Sequence, residues 1–151
     1  MKKGVILIIF SLIILSSIAF AREDDKNIDI SSNIENLDSV KTQLNSNMGS
    51  LPGVAKKFLK NEKINIRIEM NNGEISDIYS IIKNSQVEKL EKGSLENPDY
   101  EISLKEKDIG EIANSDNPKN TFKKKLNSGD ISLKANGFFK KMKLKMLKSF
   151  L

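Results

Sequence analysis

Every second residue from Ile64 to Met70 is apolar, with Asn65, Arg67 and Glu69 between, and Asn72-Gly73 follows directly. A period of two marks a strand with one face in a core. Asn-Gly suits a tight hairpin because both central positions of a two-residue turn need positive φ. Together they commit the chain to an antiparallel hairpin whose returning strand covers residues 74–83. A two-residue turn pairs residues whose numbers sum to 145, so Met70 faces Ile75, Ile66 faces Tyr79 and Ile64 faces Ile81. The same register sets Asp77 against Ile68, a flaw in the apolar face that a bulge or an exposed hairpin end would absorb.

Helical spacing frames this hairpin. Ser32-Asn33-Ile34-Glu35 fits a capping box, and Ile34, Leu37, Val40, Leu44 and Met48 recur three and four apart, with Gly49 as a stop. A second helix is predicted over residues 51–60, with Pro52 near its start and Val54, Ala55, Phe58 and Leu59 as its stripe. Residues 86–92 are a strand candidate that alternates poorly, and Asn97-Pro98-Asp99 is a turn. Tyr100, Ile102 and Leu104 alternate as another strand, and residues 106–114 read as a short helix with Ile109, Ile112 and Ala113 inward. Asn117-Pro118 opens a helix with Asn as cap and Pro in the first position. That helix carries Phe122 and Leu126 one turn apart and ends at Gly129. Ile131, Leu133 and Ala135 form a last strand, Asn136-Gly137 turns the chain, and a final helix starts at Phe138. This order predicts an α+β fold, a largely antiparallel sheet with helices on one face.

The start of the chain is of another kind. Lys2 and Lys3 precede a run from Val5 to Leu15 that is apolar except for Ser11, and Ala19-Phe20-Ala21 is a small-x-small cleavage pattern before Arg22-Glu23-Asp24-Asp25. Residues 1–21 therefore read as a cleavable signal peptide, with the mature chain secreted or periplasmic and beginning at Arg22. The stretch from Gly4 to Ala21 holds 18 uncharged residues, borderline for a membrane span, so an uncleaved anchor is the alternative. Residues 22–49 then form a polar tether and N-terminal helix, and residues 50–151 the main domain.

The chain has no His, Cys or Trp. Disulfides, nucleophile–histidine pairs and Cys/His zinc sites are thereby excluded. Glu88, Glu91, Asp99, Glu101, Glu106, Asp108 and Glu111 lack the dense loop spacing of calcium sites and read as solvated surface. No catalytic residue, metal or cofactor is expected. Charge is unevenly placed: residues 119–151 hold ten lysines and one acid, Asp130, whereas residues 22–118 carry 13 basic and 19 acidic groups. Region 119–148 is either a solvated lysine-rich surface or one that meets anionic lipid headgroups. Nucleic acid is set aside, because export removes most such partners.

In the final helix Phe138, Phe139, Met142, Met146 and Phe150 share one side, Leu144, Leu147 and Leu151 an adjoining sector, and Lys141, Lys145 and Lys148 the remainder. Three readings stand: a buried core helix, a helix whose Phe139, Met142 and Met146 line a lipid cavity, or a basic amphipathic helix on a membrane surface.

Asn97-Pro98-Asp99-Tyr100-Glu101-Ile102-Ser103-Leu104, then Asp108-Ile109, Phe122, the run Leu126-Asn127-Ser128-Gly129-Asp130-Ile131-Ser132-Leu133-Lys134, and Met142 to Leu147 stand in a telling order. In this order the chain from about Leu51 to Leu147 resembles the sterol carrier protein family, the sterol-transfer domain. The helix read from Ser32 to Met48 has no clear counterpart in that pattern. The resemblance implies a five-stranded sheet covered by helices, with an apolar tunnel between them for a fatty acyl chain, sterol or isoprenoid lipid. It implies binding and transfer without chemistry. On this basis Ile102, Leu104, Phe122, Leu126, Ile131, Leu133, Phe138, Phe139, Met142 and Met146 are expected to line the tunnel. The alternative is an interaction module on the same fold, without a cavity, meeting a partner protein through the hairpin edge or the final helix.

Overall fold

The structure, a computed structural model, describes residues 30–49, 56 and 59–149, with the backbone alone at 119 and 146–149. The leader read at 1–21, the tether up to residue 29, most of the helix read at 51–60, and Phe150 and Leu151 lie outside the described residues.

Five strands, β1 (Asn61–Glu69), β2 (Ile75–Lys83), β3 (Gln86–Lys92), β4 (Tyr100–Lys105) and β5 (Ser132–Ala135), form one sheet in the order β3-β2-β1-β4-β5. β1–β2, β2–β3 and β4–β5 pair antiparallel, and β1–β4 pair parallel, so the sheet is mixed. The parallel pair follows from the link after β3, which must pass β2 and β1 to bring β4 to the far side of β1. Asn65 pins that link by donating to the Leu95 carbonyl at 2.8 Å and accepting from the Leu95 N–H at 2.9 Å. The described helices are α1 (Ile30–Glu35), α2 (Leu37–Met48), α3 (Glu106–Ala113), α4 (Pro118–Ser128) and α5 (Phe138–Ser149).

The hairpin register differs by one from the two-residue expectation. Ile66 faces Ile78, Ile64 faces Ser80 and Glu69 faces Ile75. The loop has three residues: the Met70 N–H donates to the Glu74 carbonyl at 2.8 Å, and the Gly73 N–H to the Met70 carbonyl at 2.9 Å. Gly73 at φ 86° supplies the left-handed residue that a three-residue hairpin needs. The shift removes the expected flaw, because Asp77 now faces Arg67 and bonds it at 2.8 and 3.1 Å.

β3 alternates poorly because it is bulged: Ile81 faces Lys89 while Ile82 faces Val87, which leaves Glu88 as the extra residue. Val87 and Leu90 are thereby both buried, although three apart. The turn into β3 holds positive φ at Asn84 and Ser85, as a two-residue hairpin requires. β3 is an edge strand, and Asn45 of α2 satisfies the exposed backbone of Val87, accepting from its N–H at 2.7 Å and donating to its carbonyl at 3.0 Å.

The capping box read at Ser32 is also corrected. Ser32 lies inside α1, and the cap of the long helix is Asn36, whose side chain accepts from the Ser39 N–H. Asn36 breaks one apolar stripe into two helices while keeping Ile34 and Val40 both buried. The residues of β1, β2 and β4 on one sheet face (Ile64, Ile66, Ile68, Ile78, Ile82, Tyr100, Ile102, Leu104) are buried, and the helices cover them. Ile30, Ile34, Val40, Leu44 and Met48 join Ile109, Ile112 and Phe122 in this one core, so residues 30–48 are packed into the body of the domain.

Candidate functional site

Between α1–α2 and the sheet lies an apolar cleft. Ile34, Leu37, Val40 and Leu44 form its helical wall, Ile66, Ile68, Ile78 and Leu90 its floor, and Asn33 is the polar residue on its lining. Its volume is about 20 Å³. That is room for about one water-sized sphere, whereas pockets for drug-sized ligands run to about 300–1,000 Å³. An acyl chain would enter here only if α1 and α2 moved away from the sheet.

The side chains expected to line a tunnel divide into three groups. Ile102, Leu104, Phe122 and Ile131 are buried in the core, and Leu126 and Leu133 pack against it half-buried. Phe138, Phe139 and Met142 are instead exposed, at 74%, 77% and 49%. The side chain of Met146 lies outside the described residues.

The outward turn of those three has a cause in β1. Glu62 stands in phase with Ile64, Ile66 and Ile68, and is therefore on the inner face, where it is 3% exposed. A buried carboxylate needs paired charge and hydrogen bonds. Lys140 and Lys143, three apart on α5, both bond it, and Leu144 is buried beside them. Lys140 also lies 3.5 Å from Asp99 and 5.7 Å from the centre of the Tyr100 ring. Tyr100 is buried with no hydrogen-bond partner for its hydroxyl, and burial, then the charges of Glu62 and Asp99, push its phenol well above the ordinary range. With Lys140, Lys143 and Leu144 turned inward, the helix period carries Phe138, Phe139 and Met142 to the other side. Glu62 was legible, since the alternation of β1 extends back to it; read among apolar neighbours, it marks a buried charge and asks for a cation.

A second buried charge lies between α3 and α4. Asp108, with 1% of its side chain exposed, accepts from Lys125 at 2.7 Å and from the Lys105 N–H at 3.2 Å, and Glu111 joins the same lysine at 2.5 Å. Burial draws the Lys125 ammonium down, but the hydrogen bonds and charges of Asp108 and Glu111 outweigh it and hold it above the ordinary lysine value. The Asp108 bond to the Lys105 N–H caps the start of α3, and the shared Lys125 ties α3 to α4. This cluster is structural in its geometry, with every carboxylate satisfied within it.

The opposite face of the sheet carries a shallow polar groove of about 280 Å³, lined among others by Asn65, Arg67, Asp77, Glu101 and Ser103. The Arg67 hydrogen bond holds the Asp77 carboxyl below the usual carboxylate range. Arg67 and Asp77 pair with each other there, while Glu101 accepts from the Asn136 side chain at 3.4 Å.

No protein-family model and no curated protein matches the chain. Solved structures do. The crystal structure of sterol carrier protein 2 like 2 from Aedes aegypti aligns with a TM-score of 0.50 at 17% identity, covering 79% of this chain and 97% of that one. A palmitated form of that protein, solved in solution, gives 0.47 at 14% identity over 70% of this chain and 86% of that one. Sterol carrier protein 2 from Yarrowia lipolytica, in its apo form, gives 0.45 at 16% identity over 65% and 85%. The mixed five-stranded sheet, its helical cover and the match over nearly the whole of the mosquito protein give one result: the chain has the sterol carrier protein 2 fold.

Proposed function

We propose that this protein is an exported carrier that binds an apolar molecule (a fatty acyl chain, a sterol-like or an isoprenoid lipid) and releases it unchanged. The observation that carries this reading is the cleft under α1–α2, an apolar space between sheet and helices on a sterol-carrier fold. Binding proceeds by lifting α1–α2, with the break at Asn36 as the joint. It is driven by removal of apolar surface from water, at about 25 cal/mol per Å². Export rests on the leader pattern at residues 1–21, and a mature mass beginning at Arg22 is its check. Absence of His and Cys supports binding without chemistry.

Native mass spectrometry of gently purified protein, followed by lipid extraction, tests the carrier. A retained apolar mass, or uptake of a fluorescent fatty acid, supports it. A protein that neither retains nor accepts any apolar molecule refutes the carrier and leaves an interaction module on the same fold.

A further inference from the structure

Four large apolar residues are prominently exposed among the described ones: Ile75, Phe138, Phe139 and Met142. Three of the four share the first turn and a half of α5. The two phenylalanine rings meet edge to face, their centres 5.7 Å apart. They do not face outward for want of an interior, since α5 buries Leu144 and bonds Glu62 through Lys140 and Lys143. The apolar side is held out by a buried carboxylate on the other side.

What surrounds this face identifies its partner. Lys141 and Lys145 are exposed beside it, and no acidic residue follows Asp130 in the sequence. Residues 119–151 carry a formal charge of +9, ten lysines against one aspartate. A second copy of the chain would bring lysines against lysines across a two-fold contact. An apolar wedge flanked on its own helix by exposed lysines fits a surface that is negative throughout and soft enough to admit aromatic rings. An anionic bilayer has both properties.

We propose that α5 docks on anionic membranes, with Phe138, Phe139 and Met142 entering the boundary between headgroups and acyl chains. Lys141 and Lys145 meet the lipid phosphates. Glu62 is the positioning residue, setting the rotation of the helix from inside the fold. This proposal does not depend on the carrier reading, because docking and ligand uptake are measured separately.

The chain contains no tryptophan, so Phe139→Trp creates a sole tryptophan, excited selectively at the red edge where the two tyrosines do not absorb, at an exposed position. The full chain carrying it is titrated with phosphatidylglycerol–phosphatidylcholine vesicles and with phosphatidylcholine vesicles, some bearing brominated acyl chains. The expected result is a blue-shifted emission quenched by bromine on anionic vesicles only. Lys141→Gln with Lys145→Gln in the same chain should weaken this by about thirtyfold. Reporting from α5 itself, the signal is separate from any vesicle binding by residues 1–21. Unchanged emission on every vesicle overturns the proposal, as does equal response to neutral and anionic lipid. Blue emission in the free protein means that the chain covers its own face, and a blue shift with protein concentration alone means a second copy covers it; either overturns the proposal. Fatty-acid uptake by Phe139→Trp without vesicles should equal that of the wild type, so a failed carrier and a failed docking surface give different records.

Discussion

Leu44→Ala strikes the wall of the cleft. Leu44 is 2% exposed on α2 and faces Ile66, Ile68 and Ile78 across the apolar space. Leucine-to-alanine changes in cores cost about 2–5 kcal/mol, and the cost depends on how far the site collapses. Here the removed carbons adjoin an existing void of about 20 Å³, so the new space merges with it and collapse recovers little. That puts the cost in the upper half of the range, about 3–4 kcal/mol. For a domain of this size the melting temperature should fall by about 10–15 °C. Circular dichroism melts and urea titrations read the loss. If the cleft is the ligand chamber, an apolar probe at about 100 times its dissociation constant should return about 2.7 kcal/mol. A loss under about 1 kcal/mol would refute the packing of α2 on the sheet. A full loss that no apolar probe restores would refute the chamber and leave the packing standing.

Lys125→Met should cost about 3–5 kcal/mol in urea unfolding, because it strands the buried Asp108 carboxylate without its cation; adding Asp108→Asn should recover much of that, and a neutral single variant would make the pair an ordinary surface contact. Asp77 titrates below its unfolded value, so its bond to Arg67 contributes fully above about pH 3.9 and is lost as pH falls through the lower folded value. The stability gap between wild type and Arg67→Leu should therefore close on acidification, and a gap constant from neutral pH to pH 2 would contradict the assignment. Glu62→Leu removes the reason for Lys140 and Lys143 to face inward, so α5 should roll its phenylalanines toward the sheet. In the Phe139→Trp background the free protein's emission should then move to the blue, with stability within about 2 kcal/mol of the parent; unmoved emission would show that Glu62 does not set the rotation.

Strands were legible where alternation was unbroken. Ile64 to Glu69 and Tyr100 to Leu104 are strands with the expected residues buried, and Met70 is buried just past the end of β1. Register was not, because Asn-Gly serves loops of two and of three residues, and only the Met70–Glu74 closure decides between them. β3 was obscured by its bulge, which puts buried Val87 and Leu90 three apart, a helical spacing on a strand. The parallel placement of β4 depends on a link pinned by Asn65, a contact between residues 30 apart that no local pattern encodes. The apolar stripe from Ile34 to Met48 was visible, but its role as the wall of the cleft was not, since the resemblance began after it. The final helix was read as amphipathic, with its phenylalanines either turned into a core or tunnel or laid on a membrane surface, and the structure exposes them. Periodicity identifies a helix's sides, and the partner on the sheet, here Glu62, decides which side faces in.

Burying Glu62 with two lysines is a choice that stability alone does not explain. Taking charges out of water costs several kcal/mol per ion, and pairing returns roughly what desolvation removes, so such clusters often contribute little net stability. Rolling α5 to bury Phe138 and Phe139 would gain about 1.5–3 kcal/mol for each ring. With Glu62 in place that gain is opposed, because breaking its pairs leaves a buried charge uncompensated at about 3–5 kcal/mol. The two terms are of similar size, so a single carboxylate on β1 holds the balance between an α5 that closes the core and an α5 that presents phenylalanines to the outside. The chain's apolar residues are thus sorted by polar anchors: Asn36 caps α2, Asn45 ties it to β3 beside the cleft, and Glu62 holds α5 with its phenylalanines turned away from the core. These two dispositions are the ones the proposed carrier and the proposed membrane docking each require: an apolar interior for a ligand and an apolar exterior for a bilayer.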